Sequence, residues 1–529
     1  MQQWGVLVIL SMAVFIIVID TTIMNVSITA LVDDLSTTVS GIQAAIALYA
    51  LVMASFILMG GKLADILGKR HVFLAGLVIF GVGTSIASLA SSLAVLVVGW
   101  SLIEGIGSAL MMPNIQTILR GEYEGENRAY AYGMISAVAA IGAAAGPILG
   151  GMLTTYASWR WAFRLEVAIV LIVLALSGRI ARDVPADPRP GFDIVGALLS
   201  IAGWSTIVLG VLLGQPYGYF FAKQPLTIGA FEIAPLGLSV VPFLIGIGVL
   251  LIVLLVRWEQ RLEQSEGDGL FRPSLFQIVG LTPAFGVRFA HLAVSAAFLF
   301  LAPLMLQLTF GYSAMQTGLA LIPYSLALLV AALLGARLSS RFTAKRIIQS
   351  GFVVGIAGLV AIIATVQPGV SPGELASGAL FGAGMGLVAS QILNLVLSSG
   401  TEEDTAEIAG LNGTFEQLGN SFGVALVGSM VLVVLTVGVQ QSIAESERVP
   451  EAYKVQLTAA VENSIELASD DQLTASLDAA GLEDALRAEL VEGYAIERTR
   501  AFRAGIAFLV FVALAGLIVS SGLSNRMLA

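Results

Sequence analysis

Long apolar runs dominate the chain, and most of its charges sit in short breaks between them. A run of about 20 apolar residues, rising about 1.5 Å each as a helix, matches the roughly 30 Å hydrocarbon core of a bilayer. Read against its Gly, Pro and charged breaks, the pattern predicts fourteen membrane-spanning helices. They lie near 4–31, 42–62, 71–90, 93–119, 128–154, 160–179, 191–214, 235–258, 279–309, 314–339, 345–367, 372–399, 405–440 and 497–524. Residues 215–234, between the seventh and eighth spans, read as a Pro- and aromatic-rich loop. The first run has no basic leader, exceeds a signal-peptide core in length and holds Asp20 and Asn25 inside it. It therefore reads as a span and not as a cleaved signal.

Basic residues predict the sidedness. Loops after even-numbered spans carry Lys62, Lys69, Arg70, Arg120, Arg128, Arg179, Arg182, Arg189, Arg257, Arg261, Arg272, Arg337, Arg341, Lys345 and Arg346. Short loops after odd-numbered spans offer little beyond Arg160 and Lys223. By the positive-inside rule both termini are cytoplasmic. Arg498, Arg500 and Arg503, leading into the last span, run against the rule, which long translocated loops escape. That loop, 441–496, is acidic, with Glu445, Glu447, Glu466, Asp470 and Asp478 among its carboxylates. Its Ala- and Leu-rich stretches, such as 482–491, predict short amphipathic helices. A solvated cap is one reading of it; a gate or partner site is the other.

Only 12% of the 529 residues are Asp, Glu, Lys or Arg, about half the soluble average. With 57% hydrophobic residues and a mean hydropathy of +0.91, the composition excludes soluble enzymes and secreted disulfide scaffolds. A net charge of -10 and a pI near 4.9 argue against nucleic acid as a partner. The chain has no Cys, and two His leave little for a histidine-based metal centre. No metal or cofactor is expected. Nothing fits a phosphate-binding G-x-x-x-x-G-K-[ST] string, so the chain is not itself an ATP-driven pump. Trp4, Trp100, Trp159, Trp161, Trp204 and Trp258 read mostly as interfacial anchors.

Two strings carry more. Residues 61–70 read GKLADILGKR. A helix ending at Gly60 and Gly61 permits close approach, and Asp65 stands where it can cap the next helix or pair with Lys69 or Arg70, with Gly68 in register. The expected use is a cytoplasmic latch made and broken as helices rock. A weaker copy, ARLSSRFTAKR, follows the tenth span at 336–346, with Ser340 in place of the acid. Two related halves of six spans with an inserted pair fit this count, the repeat architecture of secondary transporters. The expected divisions are 1–190, 191–278 and 279–529, the last including the acidic loop. The second string, GAAAGPILGG at 142–151, lies in the fifth span. Gly142, Gly146, Gly150 and Gly151 clear a face for backbone packing, and Pro147 permits a bend.

These strings resemble a known family. GKLADILGKR is similar to motif A of the major facilitator superfamily, and GAAAGPILGG to its antiporter motif. IDTTIMNVSITAL at 19–31 and WRWAFRLEVAI at 159–169 resemble the first and sixth helices of the fourteen-helix drug:proton antiporter family, with Glu166 where Asn is usual. The resemblance implies an all-α polytopic fold of two six-helix halves plus two inserted helices, and export in exchange for protons. One departure stands out. SLIEGIGSAL at 101–110 resembles a motif carrying an intramembrane Arg and then a Gln, yet Ser101 and Glu104 occupy those positions. The role of that Arg does not carry over.

An ionisable group at mid-bilayer costs roughly 2.5–3.5 kcal/mol or more, so each one retained is a candidate for function. Asp20, Glu104 and Glu416 are candidates for proton and substrate coupling, with structural pairing as the alternative for each. Glu416 shares a helix face with Asn412 and Asn420. Arg288 either snorkels to the cytoplasmic interface or acts as a counter-charge, and His291 reads as a satisfied interior histidine. Arg164 and Glu166 read as stabilising the outer end of the sixth span. The functional reading is a proton-coupled exporter of hydrophobic, cationic, drug-like compounds, acting as a monomer among lipids of the inner cell membrane. A lipid, fatty acid or siderophore-like metabolite is the alternative cargo. A channel or scaffold is the alternative class, and no clustered catalytic set points to an enzyme.

Overall fold

The computed structural model describes residues 2–181, 191–222, 225–228, 231–233, 237–366, 377–401, 404–446 and 449–525. Arg182, Arg189, Lys223 and Glu447 lie outside the described residues, as do the limits set above at 190, 235, 367 and 372. Among the described residues, 14 helical stretches are long and apolar enough to cross a membrane.

The first is α1 (Gln2–Val26), followed by a short α2 (Ile28–Asp34). Ser27 separates them, because its hydroxyl turns back to the Ile23 carbonyl (3.1 Å) and does not cap α2. Next come α3 (Val39–Leu67) and α4 (Lys69–Ser88), then α5 (Leu93–Leu96), a π-helical segment (Val97–Glu104) and α6 (Gly105–Glu122), which form one span. The predicted helix end at Gly60 and Gly61 is corrected here: α3 runs on to Leu67, and Gly68, at φ 94°, makes the break. Gly60 serves close approach instead, since a Cβ there would lie 2.6 Å from the Ala109 carbonyl oxygen of α6.

α7 (Gly125–Tyr156) and α8 (Arg160–Leu176) follow, then α9 (Ile194–Tyr217) and α10 (Val241–Gln264). Between these two, where only a loop was expected, β1 (Leu226–Ile228) pairs antiparallel with β2 (Phe231–Ile233). The apolar–polar–apolar alternation of both triplets is the period of a strand. α11 (Leu281–Phe310) ends at Gly311 in the left-handed region, and a Ser313–Gln316 capping box starts α12 (Ala314–Ala320). Pro323, in the first turn of α13 (Ile322–Leu338), splits the tenth span. α14 (Ala344–Thr365), α15 (Ser377–Leu397) and α16 (Thr405–Glu445) complete the bundle with α19 below.

The acidic segment folds as α17 (Glu451–Ser464) and α18 (Asp470–Ala479). Residues 484–491, expected in a separate short helix, are the opening turns of α19 (Asp484–Val519), because no Pro interrupts the helix into the last span. Two of the three arginines that broke the charge rule are paired locally, and Arg503 is exposed. Arg498, 1% exposed, pairs with Asp470 (2.9 Å) and donates to the Ala468 carbonyl (2.7 Å), while Arg500 pairs with Glu497 (2.5 Å).

Three packing relations position the site. α1 lies against α7 and α8, α3 packs along α16, and α12 packs on α7 at the end carrying the α17–α18 cap. α9 packs chiefly on α10, and only 17% of the most apolar stretch of α10 is buried, so its outer face is left for lipid.

Candidate functional site

Asp20 of α1, Glu104 at the end of the π-helical segment and Glu166 of α8 converge in the interior. They offer one carboxylate oxygen each, all within 4.8 Å of one another, and the three residues are 0–1% exposed. Trp100 Nε1 donates to both Asp20 oxygens (3.0 Å each), with its ring stacked on Tyr49 at 5.5 Å. The Tyr49 hydroxyl shares a hydrogen bond with Ser108 (2.9 Å), and the Thr84 hydroxyl donates to Glu166 (2.8 Å). Among the described residues no N–H or hydroxyl donor satisfies either Glu104 oxygen, whose neighbour is the Asp20 carboxyl. Among the described residues no cationic side chain pairs with the three acids. Ser101, where the family pattern has Arg, donates instead to the Ala45 carbonyl (2.8 Å).

Two sequence expectations are corrected. Glu166 does not stabilise a helix end; it faces Thr84 and the other acids, because α8 packs on α4 as well as on α1. Trp100, 1% exposed, is no interfacial anchor but the donor that orients Asp20. The π-helical register helps place Trp100 and Glu104 on this interior face. The signal for Glu166 was present: like Glu104, it is an acid where the family pattern has an amide.

A second, separate cavity of about 210 Å³ is lined by Val14, Ile17 and Val18 of α1 and by latch-end residues of α6, α7, α15 and α16. Arg288 and Glu416 form an ion pair on its wall. Asn412 also lines it, with its buried side-chain oxygen unpartnered, while Asn420 donates to Gln417 (3.2 Å). His291 lies behind, donating from Nε2 to the Met385 carbonyl (3.2 Å). Asn25 donates to the Thr21 carbonyl (2.7 Å) on α1. Glu416 lines this cavity and Asp20 does not; Asp20 is buried against Trp100 instead.

The glycine string works on two sides of α7. A Cβ at Gly142, Gly146 or Gly150 would meet Val18 at 3.3 Å, Thr22 at 1.9 Å or the Ile23 carbonyl at 2.9 Å, all on α1. A Cβ at Gly151 would meet the Ala314 carbonyl at 2.5 Å, and one at Gly318 of α12 the Pro147 carbonyl at 2.3 Å. Beside these contacts the Ser27 and Thr154 hydroxyls bond at 2.7 Å, Gln307 donates to the Val26 carbonyl (2.8 Å), and Met315 N–H donates to Thr155 (3.0 Å). This end of the bundle is shut. Pro147 stands inside an unbroken α7.

At the other end Asp65 is exposed, and no side chain caps α4. Lys62 instead reaches Asp268 (3.9 Å) in the segment after α10, and Arg70 donates to the Ser177 carbonyl (3.4 Å). Among the described residues Asp65 forms no ion pair within 4 Å in this state, though the charges of Lys62 and Lys69 act on it, so its expected latch role belongs to another conformation. Asp65→Asn is therefore expected to slow turnover several-fold at unchanged substrate affinity, checked by efflux rates against equilibrium binding. A large affinity loss at normal turnover would overturn that role.

The model of the Major Facilitator Superfamily matches residues 10–424. The cephamycin export protein CmcT of Amycolatopsis lactamdurans is 31% identical over 432 residues, 80% of this chain and 83% of that protein. The multidrug transporter protein MdtP of Bacillus subtilis is 27% identical over 427 residues, 80% of this chain and 74% of that protein. In fold the chain is similar to a bacterial homologue of the human lysosomal transporter Spinster, solved inward-facing and unoccupied, with a TM-score of 0.59 and 15% identity over 98% of this chain and 97% of that one. The chain belongs to the major facilitator superfamily.

Proposed function

We propose that the protein is a proton-coupled exporter of hydrophobic, drug-like compounds, working as a monomer in the inner cell membrane. Its halves are 1–190 and 279–529, joined by the inserted pair and linker of 191–278, and both termini and the latch end face the cytoplasm. Export is what the name of the cephamycin relative states of that protein, and multidrug transport what the name of the Bacillus relative states of that one. Proton coupling rests on one observation above all, the buried Asp20–Glu104–Glu166 cluster. Two full charges 4.8 Å apart repel by roughly 3–4 kcal/mol at an effective dielectric near 20. Three carboxylates with no cationic partner therefore hold protons when the site is closed, and release them when water and a path to solvent reach it.

α1 links this store to transport. It carries Asp20, lines the cavity through Val14, Ile17 and Val18, and supplies the surface on which Gly142, Gly146 and Gly150 lie. A shift of α1 on proton loss changes the cavity wall and the α7 seam together. In the present state the capped end is shut and the cavity draws on the latch-end parts of its helices, as an inward-facing exporter requires. The test is pH-gradient-driven efflux from proteoliposomes over cationic, neutral and anionic lipophiles. Flux that follows only the substrate gradient would favour a channel.

The Arg288–Glu416 pair sets a charge rule for cargo. Glu416→Gln leaves Arg288 uncompensated on the cavity wall, so export of cations is expected to fall roughly tenfold while neutral compounds change little. Adding Arg288→Gln restores neutrality and recovers cation export. Equal losses for cations and neutral compounds in the same efflux assay would remove Glu416 from substrate discrimination.

A further inference from the structure

We propose that the cap forms a second ligand site, one that takes lipophilic organic cations. A cavity of about 600 Å³ opens between the cap and the bundle, far larger than the central one and within the roughly 300–1,000 Å³ range of small-molecule sites. Much of its wall, from Val439 to Tyr494, lies beyond residue 424, where the family model ends. The site stands on this cavity alone and does not depend on proton coupling or on the direction of transport.

Its wall is mostly apolar, with Val39, Ile443, Leu457, Val461, Leu473 and Leu490 from five different helices. Two carboxylates, Asp33 and Glu466, stand in the lining with no Lys, Arg or His among the described lining residues. Both are held in place. Ser40 donates to Glu466 Oε2 (2.7 Å), and Gln472 donates to Asp33 Oδ1 (2.8 Å). The loop bearing Glu466 is clamped by Tyr494, whose hydroxyl donates to the Glu466 carbonyl (2.7 Å) and accepts from Ala468 N–H (2.8 Å).

Arg498, the cation buried at this place, is already engaged by Asp470 and the Ala468 carbonyl. Burial pushes the Glu466 carboxyl above its usual range, against hydrogen bonds from Ser40 and Thr38 that favour its charged form. A bound cation supplies a counter-charge while its apolar groups fill the cavity. A phospholipid suits the site less well: its acyl chain needs no carboxylate, and its phosphate is repelled by two.

The experiment uses the full-length protein in phosphatidylcholine nanodiscs, labelled with a photoreactive azido derivative of tetraphenylphosphonium and mapped by peptide mass spectrometry. Labelling is expected on residues 457–477, displaced by unmodified tetraphenylphosphonium and not by tetraphenylborate, an anion of the same shape. Glu466→Gln should weaken half-displacement roughly tenfold, the cost of losing a partly screened charge pair. Val461→Trp, which fills the cavity and keeps the carboxylate, should abolish cap labelling while the protein keeps its elution profile and melting temperature. Labelling confined to the central helices would overturn the proposal. So would displacement by tetraphenylborate as strong as by the cation, which would make the cavity a plain apolar cleft, or Glu466→Gln binding as tightly as the wild type.

Discussion

Replacing Asp20 with Asn is expected to reduce pH-driven efflux to the leak of protein-free liposomes while substrate still binds. The amide keeps an oxygen to accept the Trp100 Nε1 hydrogen bond, so size and orientation are preserved. What is lost is titration at the one acid of the cluster that sits on α1, the helix shared by the cavity and the glycine seam. Glu104→Gln and Glu166→Gln remove repulsion from the same cluster, and each is expected to lower the number of protons moved per substrate without abolishing flux. The measurement is proton release from detergent-solubilised protein on adding substrate, read with a pH dye beside the liposome flux. Wild-type proton release and pH-driven efflux from Asp20→Asn would place coupling elsewhere, and Glu104, whose carboxylate no N–H or hydroxyl donor satisfies among the described residues, would be the next to test.

Gly318→Val is expected to hold the transporter open at its capped end. A Cβ at this position would lie 2.3 Å from the Pro147 carbonyl oxygen and 3.3 Å from the Ile148 Cα, both backbone atoms that no rotamer change can move aside. Crowding of this kind costs about 1–3 kcal/mol. Spent against one of two conformations, it shifts their balance roughly 5- to 150-fold. Transport should fall accordingly while insertion into the membrane stays normal. The chain contains no Cys, so a single reporter has no background. Ser27→Cys is the place for it, since Ser27 is 0% exposed when α7 and α12 meet. Its labelling by an impermeant maleimide should quicken in the Gly318→Val background. Equal labelling, with full exchange activity, would show that the α7–α12 seam does not need to close as described.

The spans were legible because a bilayer imposes one length and one solvent on every crossing, and apolar runs report both directly. The glycine string was legible for a related reason: backbone packing tolerates only small residues at fixed spacing, so Gly142, Gly146 and Gly150 reveal a seam before its partner is known. Helix interruptions at Ser27, Gly68 and Pro323 were less visible. They depend on where one hydroxyl turns, on one positive φ, and on a break inside a continuous apolar run.

The identity of the partners lay further out of reach. Asp20, Glu104 and Glu166 are 84, 62 and 146 positions apart when taken in pairs, and no local period links them. Their meeting is set by how α8 packs on α1 and α4 and the π-helical segment on α4 and α3, as are the burial of Trp100 and, among the described residues, the absence of a cation paired with them. Pairing of Arg288 with Glu416, and their separation from Asp20, follows from the packing of α11 on α16, not from either helix alone. Sequence by itself determined the membrane class, the number of crossings, the glycine seam and which residues would be costly to bury, because each follows from transfer between water and hydrocarbon. Tertiary structure alone decided which buried charges neutralise one another and which stand together unpaired, because Coulomb energy depends on distance in space and not on position along the chain.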